Sequence, residues 1–311
     1  MKKTLTALAT ICAFVAPAAF AESKTYKVDD FSKIEVDGAM HVIFKTGAQT
    51  SVVVETASGD FSDAKIESEG DALHVSRESL DSSSGWFNFG NRSVNISDNG
   101  KIVKVNGKKV PYYTVYVTGP DLEAVKVAQS SRFESQTIDA DDFEARASSS
   151  AEVTLAGVAA NAQLSASSSG ELDASGLKAT ILSASASSSG ELDATVTGTG
   201  ETNIDASSSG EVDVKSLKAA QFVVDSSSGA SAKLSGACST IKVSASSGAE
   251  VEAGELRCAT ATASASSGAE VEIFASQSAS ARASSGGDIS FAGNPAQQDV
   301  SKSSGGSVSF H

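Results

Sequence analysis

Ser167-Ser168-Ser169-Gly170-Glu171-Leu172-Asp173 returns as Ser187-Ser188-Ser189-Gly190-Glu191-Leu192-Asp193 and again as Ser207-Ser208-Ser209-Gly210-Glu211-Val212-Asp213. Later copies read Ser246-Ser247-Gly248-Ala249-Glu250-Val251-Glu252 and Ser266-Ser267-Gly268-Ala269-Glu270-Val271-Glu272. With the acid as a pivot, equivalent positions fall at Arg132, Glu152, Glu171, Glu191, Glu211, Ser231, Glu250, Glu270, Asp288 and Ser307, at intervals of 18 to 20 residues. A period near twenty is the signature of a solenoid.

Around the pivot, apolar residues repeat with the period of two that marks strands. One pair of columns follows it, as in Val153/Leu155, Leu172/Ala174, Val212/Val214 and Ile289/Phe291. A second precedes it, as in Val125/Val127, Leu164/Ala166 and Ile204/Ala206. A third, shorter column is expected about six residues beyond the pivot, at Ile138, Val158, Leu177, Leu217 and Leu256. Three short strands per repeat make one triangular coil, so residues 121–311 are predicted to wind about ten coils of an all-β, right-handed parallel β-helix. Stacking at roughly 4.8 Å per coil would give a rod of about 45–50 Å. The glycine before the pivot is expected to supply the positive φ of a tight corner. The serines three before the pivot are expected to bond to one another or to the corner backbone.

Residues 22–120 lack the serine repeat but alternate strongly, in Lys33 to Asp37, His41 to Phe44, Ser51 to Glu55, Ala72 to Val75 and Tyr112 to Val117. They predict an N-terminal β region that continues into the solenoid. Within it, residues 80–108 read as a long loop or hairpin rich in Gly, Ser and Asn. Trp86, Phe87 and Phe89 on it are either a contact surface or a flap over the end of the coil.

At the N-terminus, Met1-Lys2-Lys3 precedes an apolar stretch from Leu5 to Phe20 that closes on Ala19-Phe20-Ala21. That is a secretory signal peptide, predicted as residues 1–21. Cys12 sits inside the apolar core without a lipoprotein-type sequence before it, so no lipid anchor is expected. An exported chain, periplasmic or at the cell surface, follows, with no direct membrane insertion. The net charge of −14 becomes −16 once residues 1–21, with two lysines and no acids, are removed. Such a surface is expected to repel nucleic acid and anionic lipid, which leaves basic proteins, neutral glycans and cations as partners.

The order Phe31-Ser32-Lys33-Ile34-Glu35-Val36-Asp37-Gly38, Val42-Ile43-Phe44, Val52 to Glu55, Leu73-His74-Val75 and Tyr116-Val117-Thr118-Gly119-Pro120-Asp121-Leu122, leading into Val125 and the serine repeats, resembles the head GIN domain family of auto-transporter adhesins. The resemblance spans about residues 25–311 and implies a β-helix of the bacterial envelope with no established chemistry. The chain ends at Phe310-His311 with no pore-forming barrel after the repeats, so autonomous auto-transport is not expected.

Three features carry candidate chemistry. Glu171/Asp173, Glu191/Asp193 and Glu211/Asp213 should project from adjacent coils, with Glu250/Glu252 and Glu270/Glu272 repeating the arrangement. Carboxylates about 4.8 Å apart repel by roughly 0.9 kcal/mol in water and about 3.5 kcal/mol at an effective dielectric of 20. Such a grid is either a solvated face that keeps the rod soluble or a site for a basic partner or for calcium, which takes about six to eight oxygen ligands. The calcium-binding nonapeptide of other β-rolls is not present. Cys238 and Cys258, twenty residues apart, should stack on neighbouring coils, as a disulfide or as small residues in an apolar ladder. The outward Ser165/Ser167, Ser185/Ser187, Ser244/Ser246 and Ser264/Ser266 form a hydroxyl file that confers solubility or docks glycans or ice.

No catalytic residues are assigned. No Gly-x-Ser-x-Gly elbow accompanies a histidine and an acid, and Arg132, Arg146, Arg257 and Arg282 do not align with the densest acids. His41, His74 and His311 lack metal-ligand spacing. The reading is a non-catalytic envelope module for binding, adhesion or structure, with a calcium-dependent polysaccharide-binding or polysaccharide-active protein as the alternative.

Overall fold

The computed structural model describes residues 21–78, 94–97, 102–105 and 107–311. The signal-peptide residues 1–20 and the aromatic trio Trp86, Phe87 and Phe89 lie outside the described residues. The described chain is all β and forms a solenoid of about 9 turns. Twenty-two strands join one sheet, and a second sheet has three strands.

Numbered along the chain, the strands are β1 (Glu22–Tyr26), β2 (Lys33–Val36), β3 (His41–Thr46), β4 (Ser51–Thr56), β5 (Ala64–Glu69), β6 (Ala72–Arg77), β7 (Val94–Ser97), β8 (Ile102–Val105), β9 (Lys108–Val110), β10 (Thr114–Gly119), β11 (Ala124–Val127), β12 (Arg132–Ser148), β13 (Glu152–Ser167) and β14 (Glu171–Ser187). Parallel pairing places like on like. Glu171 faces Glu191, Leu172 faces Leu192, Asp173 faces Asp193 and Ala174 faces Ala194. The two long apolar columns are buried in every coil, from Val125 and Phe133 to Ile289 and Phe291. Three short strands per coil are expected. In β12, β13 and β14 pairing instead runs on through two corners, which show only as register shifts such as that between Ser135 and Ile138. In these three strands only the serine corner ends the strand, whereas later turns break again elsewhere, as between Val196 and Glu201 and between Arg257 and Thr260.

At that corner the backbone differs from expectation. Positive φ falls on two successive serines, Ser168 (51°) and Ser169 (60°), and likewise at Ser188/Ser189 and Ser208/Ser209, with Gly170, Gly190 and Gly210 outside the left-handed region. Left-handed conformation costs a residue with a side chain about 1–2 kcal/mol. A backbone ladder offsets it, with the Ser169 N–H donating to the Ser188 carbonyl at 3.1 Å and the Ser209 N–H to that of Ser228 at 3.2 Å. Gly170 serves close approach, because a Cβ there would stand 2.5 Å from the Ala147 carbonyl oxygen. In later coils the second left-handed residue becomes glycine, at Gly248 and Gly268, and alanine takes the following position. That substitution is the change from the Ser-Ser-Ser-Gly to the Ser-Ser-Gly-Ala form of the repeat.

The third column departs from prediction at two places. Ile138, Leu177 and Leu256 are buried, whereas Val158 and Leu217 point outward at 47% and 52% exposure. Ile138 pairs with Gly157, and Gly157 with Leu177, so the inward position is one residue earlier in that coil. Ser216, Gly236 and Leu256 form an inner column that runs up through Val196 to Ala179, so in that turn too the inward position is one residue before Leu217. Residues that bulge at a corner shift the inside-outside alternation by one.

Residues 22–120 close the upper end by an out-of-order insertion. β2 and β3 are themselves a coil, in parallel register with β11 and β12 below, Ile34 beside Val125 and Val42 beside Phe133. Above them lie β6 and β10, parallel to β2 and β3 respectively. β5 and β4 then run antiparallel to β6 and β10, and β1 antiparallel to β4. β7, β8 and β9 form the separate antiparallel sheet. Arg77, wholly buried, binds the layers together. Its guanidinium pairs with Asp63 at 2.9 Å and donates to the Gly38, Ala39 and Pro111 carbonyls.

Gly236 has a φ of 103°, and a Cβ there would fall on the Ser216 carbonyl oxygen of the adjacent coil. Gly236→Val is expected to lower unfolding free energy by about 2–4 kcal/mol, read from the urea midpoint. A midpoint equal to that of the parent chain would mean this corner is not closely packed.

Candidate functional site

The strands that follow the serine corners alternate inward Leu or Val with outward acids, and in-register pairing lines these acids into two files. The first runs Glu152, Glu171, Glu191, Glu211, Ser231, Glu250, Glu270 and Asp288. The second runs Thr154, Asp173, Asp193, Asp213, Lys233, Glu252 and Glu272. Glu171, Glu191 and Glu211 are exposed, and Asp173, Asp193 and Asp213 are half-buried. The structure therefore brings all six predicted acids onto one face of three consecutive turns.

Both ends of this stretch carry compensating charge. Arg132 pairs with Glu152. Lys233 follows Asp213 in the second file. Between these ends, the polar support is local, with the Ser175 N–H and Oγ–H donating to the Asp173 Oδ1 at 2.9 and 2.6 Å. Asp193, in the middle, is pushed up to about 6 by partial burial and then by Asp213, Asp173, Glu191 and Glu211. Partial burial raises Asp213 as well, with Lys233 opposing. Glu171 is raised by desolvation and by Glu152, Glu191 and Asp173. Among the described residues, no cluster of three or more His, Cys, Asp or Glu converges in a way that would hold a metal ion. The carboxylates form a spaced row rather than a cage.

The Cys238 and Cys258 sulfurs are bonded, with Cα atoms 4.3 Å apart. Ala237 beside Arg257 and Thr240 beside Thr260 place the two cysteines in the same register, inside the coil.

The hydroxyl face is less uniform than the serines alone indicate. Ser165 pairs with Ser185, but the next two positions are Asp205 and Asp225 before Ser244 and Ser264 resume. These acids line a groove of about 320 Å³ with Ser207, Ser227, Ser246 and Ser266. Burial, then Asp225, raises the Asp205 carboxyl. Each stands six residues before a pivot, where most other coils carry serine and the rest carry Lys126, Arg146 or Arg282, so the aligned repeat marks them as the acidic exceptions. A second groove, about 810 Å³, lies where the corner before β11 meets that within β12, among Lys33, Asp121, Glu123, Asp139, Asp141 and Asp142.

The model of the family described as "Putative auto-transporter adhesin, head GIN domain" matches residues 30–216 and 198–295. The chain belongs to that family. This membership points to an adhesin-like, non-enzymatic protein that is exported or displayed at the cell surface. No curated protein matches the chain. Among solved structures it is similar to a "putative lipid binding protein" of Parabacteroides distasonis ATCC 8503, at 17% identity over 94% of this chain and 96% of that one, TM-score 0.48. It is also similar to putative adhesins of Parabacteroides merdae ATCC 43184 (16%, 94% and 96%, TM-score 0.43) and Bacteroides fragilis NCTC 9343 (14%, 95% and 99%, TM-score 0.32).

Because Asp193 has its folded-state value raised from an ordinary 3.8 to about 6, the folded chain holds the proton more tightly than the unfolded one. Its contribution to stability is present at low pH and lost as pH rises from about 4 to about 6. Asp193→Asn is expected to gain about 1 kcal/mol near neutral pH, after allowance for solvent screening, and to flatten the pH dependence of the urea midpoint across that window. An unchanged profile would mean the row is fully screened. Reduction, or Cys238→Ala with Cys258→Ala, is expected to cost about 3 kcal/mol for a loop of twenty residues, read by denaturation with and without reductant.

Proposed function

We propose that the chain is a non-catalytic binding rod of the cell envelope, adhesion-like in role, that is exported by residues 1–21 and presents its carboxylate face to a basic partner. The observation that supports this most is the stacking of Glu171/Asp173, Glu191/Asp193 and Glu211/Asp213 over three turns without a cationic side chain between them. A row of that kind costs stability in isolation, and a cationic partner relieves the repulsion in every turn at once. Its repeat matches any partner that carries positive charge at β-strand spacing, including a basic protein surface.

Calcium is a second reading of the same row. It is favoured by the central position of Asp193, whose neighbours along both files are carboxylates. A bound ion would bridge successive coils and complete its shell with water and nearby hydroxyls.

The two readings separate in one titration. The basic-partner reading expects immobilised poly-lysine to retain the chain in the presence of a calcium chelator, with retention lost in the Asp173→Ala, Asp193→Ala, Asp213→Ala triple variant. The calcium reading expects a melting temperature that rises with calcium in the parent and stays fixed in that variant. Neither retention nor a melting shift would return the acids to a solvated face. Release of cleaved product from acidic polysaccharides at any calcium concentration would overturn the non-catalytic assignment.

A further inference from the structure

In the middle turns the acids of the solenoid lie on two of its three faces, whereas Asp139, Asp141 and Glu255 stand on the third in the turns above and below. On the face that joins the pivot strands to the strands before the next serine corner, residues 156–160, 175–181, 195–200, 215–220 and 235–239 contain no Asp or Glu. The same five segments hold Lys178, Lys215 and Lys218, three of the five lysines between residues 150 and 250. All three are exposed, and none makes an ion pair among the described residues. In a chain of net charge −14 with a carboxylate row on the neighbouring face, unpaired cations gathered on one face are a departure from the average composition.

This face also carries the exposed aliphatics. Val158, Ile181 and Leu217, exposed by 47%, 45% and 52%, are three of the five large hydrophobics exposed among the described residues. Val158 pairs directly with Lys178, and Lys178, Thr195 and Lys215 follow one another through successive turns. Lys178 and Lys215 are thus two turns apart, about 10 Å at sheet spacing. Leu217 and Lys218 extend the strip sideways on the same turn. Acids bound it at both ends, Asp139 and Asp141 above and Glu255 below, and Glu201 borders it beside Ile181 on the next turn. The corner bulges described above cause this, since the register slip turns Val158 and Leu217 from the interior to the surface.

We propose that this third face docks peripherally on a bilayer bearing anionic headgroups. Three lysines on long aliphatic stems reach phosphate oxygens while Val158, Ile181 and Leu217 enter the boundary between headgroups and acyl chains. The complementarity is of sign and of polarity together. A soluble anionic polymer would satisfy the lysines and leave the aliphatics in water, and a neutral apolar partner would leave the lysines without counter-charge. The triangular section turns the Glu/Asp face and the Ser/Asp face away from the bilayer, which keeps the carboxylate row of Glu171 to Asp213 on the solvent side. The proposal is independent of the carboxylate row, and its test leaves that row intact.

Sedimentation of the purified chain with vesicles, in chelator and at low ionic strength, reads the interaction. Vesicles containing phosphatidylglycerol are expected to retain the chain, and pure phosphatidylcholine vesicles are not. Each of Lys178→Gln, Lys215→Gln and Lys218→Gln is expected to reduce partitioning about fivefold. Val158→Ser with Leu217→Ser is expected to reduce it further while leaving the circular dichroism and melting temperature unchanged, since both side chains are outside the core. Asp173→Asn with Asp213→Asn, on the other face, should retain binding at or above the parent level. Equal partitioning to the two lipids, or retention in the triple lysine variant, overturns the proposal. Lysine-dependent capture by heparin without vesicle binding overturns it in favour of a soluble polyanion.

Discussion

Parallel pairing of each turn with the same segment of the next is the interaction on which everything else depends. It fixes one side chain above its counterpart at sheet spacing, so any residue repeated in the sequence becomes a row in space. Inside, rows of Leu, Val and Ala pack as the buried core. Outside, rows of Glu and Asp accumulate like charge. The fold does not choose between these outcomes. The same hydrogen bonds impose both, and the buried ladder tolerates the cost of the exposed one.

The serine corners show how that register is held. Two adjacent residues adopt left-handed backbone in most turns, and serine pays a steric cost there that glycine would not. Their N–H groups donate to the carbonyls of the turn below, so conformations unfavourable in one turn form a continuous ladder in the stack. The strain is local and the reward is collective. Where glycine enters the second position, as at Gly248 and Gly268, the ladder persists and the strain falls.

How far the sequence alone discloses this molecule follows from the same logic. The two long columns and the pivot acids repeat at constant offset, so periodicity alone places Leu172 inward and Glu171 outward. The third column failed at Val158 and Leu217 because a bulge adds a residue between pivot and strand, and bulges leave no mark in an apolar count. Asp205 and Asp225 are hidden for the opposite reason: they stand at the position that carries serine in most aligned repeats, so they interrupt a pattern instead of forming one. The upper end was readable as strands but not as a coil. β2 and β3 lack the serine corner, and Gly38 and Ala39 supply its positive φ instead. Arg77 is invisible to periodicity, since its three carbonyl acceptors come from segments brought together only by the insertion.

That insertion has a bearing on how the rod is built. The β2–β3 coil is made early in the chain yet lies between a layer supplied by β6 and β10 and another supplied by β11 and β12. It cannot be finished from one side, so the first stable template is the whole interleaved block up to about residue 148. Beyond that point each turn needs only its predecessor. Lengthening or shortening by one unit downstream leaves the ends unaltered, whereas loss of a segment upstream removes the seed on which every later turn is laid.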